Sequence, residues 1–304
     1  MRAVFVDANE TLAGVLERLR RPGDPAVAIN RAPGITPGEL PGVLDGAEIA
    51  IIDHTHLPLD VAAACRGLKH VVFLGTGPRS YMDPDALSAE RGIRVHTIKG
   101  YGDTAVAECA FALMWASAKG FARMDREMRA GNWLRTDGVQ LTGKILGLIG
   151  FGGIAAEVAR LAAGAGMRVL AWNRTPKGHP GVEFVGLDRL LAASHVVSLH
   201  LLLTDETRGF LSAARIAAMR PGAILVNTAR GALVDEAAMI AALRSGHLAH
   251  AGLDVFTTEP LPPGHELAAL PNVTLSAHSA FRTPEASDNL IGAALEHCRR
   301  IAAG

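Results

Sequence analysis

Cysteine is scarce. Three occur among 304 residues, Cys65, Cys109 and Cys298, none in a C-x-x-C pair. An odd, scattered set excludes a disulfide framework and a structural zinc site, and it suits a reducing compartment, the cytoplasm. Surplus charge of either sign is also missing, because 30 Lys+Arg balance 30 Asp+Glu. No basic excess is present to neutralise phosphates, so neither a nucleic-acid nor a membrane partner is expected. Long apolar runs are absent: residues 109–118 and 145–156 fall short of the ~18–20 residues a spanning helix needs. The N-terminus places Asp7 where a signal peptide would run its apolar core. Internal repeats, low-complexity tracts and linkers are missing too. Hydrophobic residues, by contrast, make up 49% of the chain and charged ones 20%. That balance excludes disorder and supplies a sizeable core. At roughly 150 residues per domain the length fits two domains.

Short β-branched runs alternate with Ala/Leu-rich stretches along most of the chain. Residues 3–6, 49–52, 70–74 and 93–97 read as strands, and Leu12, Val15, Leu16 and Leu19 recur at helical spacing after the first. Residues 105–129 read as the longest helix, ended by Gly131 as a left-handed cap. Strands follow at 145–149, 168–172, 196–199, 223–226, 249–254 and 273–275. Helices are expected at 154–163, at 235–245 (Asp235 as N-cap, Gly246 as stop) and at 284–302. Alternation of this kind predicts α/β architecture: two doubly wound parallel-sheet domains, the second a Rossmann dinucleotide-binding domain. Hinges near 98–103 and 280–284 divide the chain into 1–99 with 283–304, the substrate domain, and 100–282, the dinucleotide-binding domain.

The first chemical signal is Gly150-Phe151-Gly152-Gly153-Ile154-Ala155, between a strand and a helix. It matches G-x-G-x-x-A: the first glycine allows a tight turn, the second admits a pyrophosphate, and the small third position lets helix and strand pack. The free N–H groups of the helix start complete a phosphate site. The ribose is read at the end of the next strand, where Asn173-Arg174-Thr175 stands in place of the carboxylate expected ~20 residues after the first glycine. No negative charge repels a 2′-phosphate there, and Arg174 and Thr175 can bind one, so NADP(H) is favoured over NAD(H). Asp53-His54-Thr55-His56 offers two histidines at i, i+2, too few for a metal site. It reads as structural or as part of a substrate mouth, and no metal is expected.

Three further segments fall at successive strand ends: Asn227-Thr228-Ala229-Arg230-Gly231, Asp254-Val-Phe-Thr-Thr-Glu259-Pro260, and Ser276-Ala277-His278. With the glycine turn and Val106-Ala-Glu108, these resemble the D-isomer-specific 2-hydroxyacid dehydrogenases over about the whole chain, most weakly over residues 1–70. The resemblance implies Arg230, Glu259 and His278 as the catalytic set. A guanidinium can hold a 2-oxo acid's carboxylate and polarise its carbonyl. A histidine can protonate the oxygen as hydride arrives at carbon, and a neighbouring carboxylate can orient it. The resemblance also implies substrate contacts from Gly75, Thr76 and Gly77 together with Arg230 and His278. Cofactor contacts are implied at Thr104, along residues 150–154, and at Asn173, Arg174 and Thr175. The same holds for Leu201, Leu202 and Thr207, for Thr228 and Ala229, and for Asp254, Ser279 and Ala280.

Three positions depart from the family's pattern: Ala155 for glycine, Ala277 for the proline before the histidine, and Leu202 for a proline in the cofactor turn. The chain ends at Gly304, without the regulatory domain of long phosphoglycerate dehydrogenases. The reading that follows is reduction of a small 2-oxo acid such as glyoxylate or hydroxypyruvate by NADPH, in a homodimer built through the cofactor domain, because residues 105–133 carry too many apolar side chains for an outer surface. Two alternatives stay open: a nucleotide-sensing scaffold like the corepressors built on this fold, which normally carry disordered extensions, and a relative that oxidises formate or phosphite.

Overall fold

The computed structural model describes every residue except Pro33 and Pro176. The chain divides into two units, Met1–Gly102 with Thr283–Gly304, and Asp103–Arg282.

The first unit holds strands β1 (Arg2–Phe5), β2 (Ala26–Ile29), β3 (Ile49–Ile52), β4 (His70–Phe73) and β5 (Arg94–Thr97), all parallel in the order β2-β1-β3-β4-β5. Helices α1 (Glu10–Leu19), α2 (Leu40–Val43), α3 (Leu59–Ala64) and α4 (Pro84–Arg91) connect them. β3 is buried at every residue, as a central parallel strand covered on both faces must be. The Asn9 side chain caps α1 by accepting from Leu12 N, so Leu12, Val15 and Leu16 turn inward. They meet Leu290, Ile291, Ala294 and Leu295 of the C-terminal helix (Pro284–Ala303), which therefore belongs to this unit. Each such leucine or isoleucine, fully buried, stabilises by roughly 2 kcal/mol.

The second unit opens with α5 (Asp103–Lys119) and α6 (Phe121–Arg129). Then come β6 (Ile145–Ile149), α7 (Gly153–Gly164), β7 (Arg168–Trp172), β8 (Val182–Phe184), α8 (Leu187–Ala193), β9 (Val196–Leu199) and α9 (Ala213–Ala217). β10 (Ala223–Asn227), α10 (Glu236–Ser245), β11 (Leu248–Leu253), α11 (Glu266–Ala269) and β12 (Val273–Leu275) complete it. The parallel order β12-β11-β10-β9-β6-β7-β8 reverses between β6 and β9, the doubly wound arrangement of a Rossmann domain. α5 and α7 cover one face, with Leu113, Met114 and Val158 in the core; α8 to α11 cover the other, with Leu190, Ile216, Ile240 and Leu243.

The structure corrects the single helix over 105–129. Gly120 takes a left-handed conformation (φ 66°) and splits it into α5 and α6, so the C-terminal helix is the longer element. An interior glycine among good helix formers carries no mark in the sequence that it will turn. β2 and β8 are edge strands with mixed exposure, and the apolar-run criterion passed over both.

Candidate active site

Three neighbouring strands, β10, β11 and β12, end side by side, and each delivers one segment. After β10, the buried Asn227 ties its turn from both ends: Oδ1 accepts from Ala229 N at 3.0 Å and Nδ2 donates to Arg230 O at 2.9 Å. The exposed Arg230 guanidinium meanwhile donates to Ala229 O at 2.6 Å, a solvent-open contact to a neutral carbonyl that an anionic carboxylate can replace with a bidentate pair. Gly231 lies so close to the β11 exit that a Cβ there would stand 2.0 Å from Phe256 C. Phe256 N in turn donates to Glu259 Oε1 at 2.8 Å. The other oxygen, Oε2, meets His278 Nδ1 at 2.5 Å. Arg230, Glu259 and His278 are thus linked through one chain of contacts.

A carboxylate only accepts, so Nδ1 of His278 carries the proton and Nε2 is the atom left to serve a substrate. The pair stays partly solvated, with side chains 38% and 33% exposed. His278 has a left-handed backbone (φ 47°), a conformation that costs a non-glycine residue about 1–2 kcal/mol. Asp254 holds it there: fully buried, it accepts from Ser276 Oγ, Ser279 N (3.0 Å) and Ala280 N (3.0 Å), while its backbone oxygen accepts from His278 N (2.8 Å). Asp254, Ser279 and Ala280 therefore form one clamp, and the sequence carried no sign of Ser276 as part of it.

The glycine turn sits at the switch point. Gly150 (φ 88°) leaves no room for a side chain, since a Cβ would lie 2.6 Å from His200 O. Gly152 differs: nothing stands within 4 Å of its Cβ position, and it begins α7 without a side-chain cap. An open backbone before an uncapped helix start fits a pyrophosphate. Buried Thr228 Oγ1 has no hydrogen-bond partner among the described residues, which fits a hydroxyl kept for a ligand. These residues can hold a dinucleotide.

Other expected contacts are placed differently. The Phe151 ring packs on Phe184 and His179 in the core, and its backbone N–H is taken by Asn173 Oδ1 at 3.1 Å. Asn173 also donates to Thr175 O. Arg174 pairs with Glu206 at 2.7 Å, both side chains strongly exposed. Lys177, which belongs to no recognisable motif, donates to Phe151 O at 2.6 Å and adds positive charge to this loop. Thr207 braces its own turn by donating to Leu202 O and accepting from Thr204 N, with Leu202 exposed beside it. Leu201 packs against Gly150. Thr104 is exposed in the first turn of α5, Ala229 is half-buried, and Ile154 is half-buried in α7. Asp103 crowds Gly153, where a Cβ would lie 1.8 Å from its carboxylate, and burial pushes the Asp103 pKa up.

In the first unit, Asp7 organises the loop after β3. Its carboxylate accepts from Asp53 N (2.9 Å), His54 N (2.8 Å), Thr55 N (2.8 Å) and Thr55 Oγ1 (2.8 Å). The His54 and His56 rings pack on Tyr81. Gly75 N donates to Phe73 O at 2.9 Å, where the chain turns sharply over the Phe73 ring. Exposed Thr76 and half-buried Gly77 follow.

Residues 111–280 match the family model described as "D-isomer specific 2-hydroxyacid dehydrogenase, NAD binding domain". A glyoxylate reductase of Aeropyrum pernix is 40% identical over 226 residues, 70% of this chain and 68% of that one. A hydroxypyruvate reductase of Thermotoga maritima is 37% identical over 257 residues, 82% of each chain. Among solved structures, a Thermus thermophilus protein superposes with a TM-score of 0.88 at 36% identity, covering 100% of this chain and 97% of its own.

Proposed function

Because the chain belongs to the D-isomer specific 2-hydroxyacid dehydrogenases, we propose that it reduces a small 2-oxo acid, glyoxylate or hydroxypyruvate, to the D-2-hydroxy acid, with NADPH preferred over NADH. The observation that carries the chemistry is the 2.5 Å contact between Glu259 Oε2 and His278 Nδ1, on loops leaving adjacent strands.

A bound nicotinamide supplies the hydride. Arg230 leaves Ala229 O and binds the substrate's carboxylate and carbonyl oxygen, countering the charge that grows on that oxygen. His278 gives its Nε2 proton to the same oxygen, and Glu259 stabilises the imidazolium that must exist beforehand. Gly152, the start of α7 and Thr228 hold the dinucleotide. The preference for NADPH rests on Asn173 in place of a carboxylate and on the charges of Arg174 and Lys177, with Arg174 exchanging Glu206 for a 2′-phosphate.

The homodimer reading rests on α6. None of its residues is buried, yet Phe121, Met124 and Met128 form one stripe, and Trp133 and Val139 in the segment that follows are exposed as well. No described helix is long and apolar enough to cross a membrane. The cytoplasmic reading rests on the three cysteines, all free, as a reducing compartment keeps them.

The test is a panel of glyoxylate, hydroxypyruvate and pyruvate with each cofactor. Glyoxylate or hydroxypyruvate with NADPH should give the highest kcat/KM, at least about tenfold above NADH, a difference of ~1.4 kcal/mol. Tight NADPH binding with no oxidation by any 2-oxo acid would overturn the reading.

A further inference from the structure

We infer that Ser276 is a positioning residue for the proton donor: its hydroxyl, bonded to the buried Asp254 carboxylate, fixes the turn that presents His278 to its partner Glu259. This rests on the reading of His278 as the acid.

β12 ends at Leu275, and the next five residues pass over Asp254. Ser276 N donates to Leu253 O at 2.9 Å, which brings the serine side chain onto Asp254 Oδ1. Beyond His278, Ser279 N and Ala280 N reach the two oxygens of the same carboxylate. Donors therefore bracket the histidine on both sides. Those after it are backbone amides, which no ordinary substitution removes. The side-chain tether before it is the Ser276 hydroxyl, and Ala277, between them, leaves its own φ unrestricted where a proline would fix it.

The Asp254 carboxylate is buried and only accepts, so the Ser276 hydroxyl turns its proton to Oδ1. Without that bond, the left-handed turn at residue 278 keeps only its backbone anchors, and Nδ1 spends less time on Glu259 Oε2.

Ser276→Ala, Ser276→Thr and Ser276→Cys test this. Measured together are kcat, KM for the 2-oxo acid, NADPH affinity from protein fluorescence, melting temperature, and the His278 ring signal in side-chain NMR, assigned with His278→Gln. For Ser276→Ala the expectation is a loss in kcat of about tenfold, the scale of a small misplacement of a reacting group. KM and NADPH affinity should stay within about twofold, and the His278 signal should shift and broaden. Threonine, which keeps the hydroxyl, restores both readouts; cysteine, a weaker donor, falls between and replaces the alanine variant if that does not fold. Wild-type kcat and an unchanged His278 signal in Ser276→Ala would overturn the inference, as would a threonine variant as impaired as alanine. If the wild type turns over no 2-oxo acid while the His278 signal still responds to alanine and recovers with threonine, the functional reading fails and the positioning role stands.

Discussion

Both oxygens of Glu259 are engaged, Oε1 by Phe256 N and Oε2 by His278 Nδ1, so the carboxylate is fixed before any substrate arrives. Its charge favours the imidazolium that reduction requires. In Glu259→Gln the ring loses its charged anchor, so kcat should fall by about tenfold or more with NADPH affinity unchanged. Turnover equal to wild type at saturating NADPH would contradict this. His278→Ala should lower kcat by about 10²–10⁴ with NADPH affinity unchanged, since the cofactor rests on other groups; near-normal turnover would remove the acid assignment. His250 is a different kind of residue: buried against Thr274 Oγ1, it is pushed down by burial from the ordinary 6.5 to about 4. Between those values the unfolded chain binds the proton and the folded one does not, so stability falls as pH drops from 6.5 toward 4. From pH 7 to 5 this costs about 2 kcal/mol, and His250→Gln should flatten that part of the stability curve measured by urea unfolding. Equal pH dependence in the two proteins would show that His250 does not contribute.

Among the elements, the glycines separate stability from function. Gly152 meets nothing within 4 Å and has an extended backbone (φ −116°), so Gly152→Ala should melt like wild type while weakening NADPH binding by about tenfold or more through its methyl group. Gly231 presses on Phe256, so Gly231→Ala must displace the Arg230 turn, lowering stability by roughly 1–3 kcal/mol and turnover with it. Calorimetry with fluorescence titration checks both; a destabilised Gly152→Ala, or an intact Gly231→Ala, would contradict the assignment. The same scale shows what the sequence carries. Strands such as β3 and β9, buried at every residue, are legible as apolar runs, interrupted in β9 by Ser198 alone, and the caps Asp235 and Gly246 bound α10 as their chemistry requires. The break at Gly120 and the edge strands β2 and β8 are not, because a turn inside good helix formers and a half-exposed strand leave no periodic mark. In the site, residue types announce Arg230, Glu259 and His278, but no pattern reveals that Asp254 clamps the His278 loop, that Gly75 uses its own N–H, or that Glu206 faces Arg174. Those depend on which strand ends become neighbours.

For the whole molecule, the unburied stripe on α6 suits an interface, and a second copy of the chain is the proposed partner. Light scattering should return twice the chain mass of 31.8 kDa, and the double variant Phe121→Glu, Trp133→Glu should return one chain mass. A wild-type monomer at micromolar concentration would contradict this. The proposed function requires that one chain both bind the dinucleotide and complete a stereospecific reduction. The most direct measurement is product analysis: the protein is given NADPH and glyoxylate or hydroxypyruvate, NADPH loss and hydroxy acid are counted together, and the chiral product from hydroxypyruvate is resolved. The account predicts one hydroxy acid per NADPH oxidised and the D-enantiomer of glycerate, both abolished in His278→Ala. NADPH bound but not consumed, or the L-enantiomer as product, would contradict it.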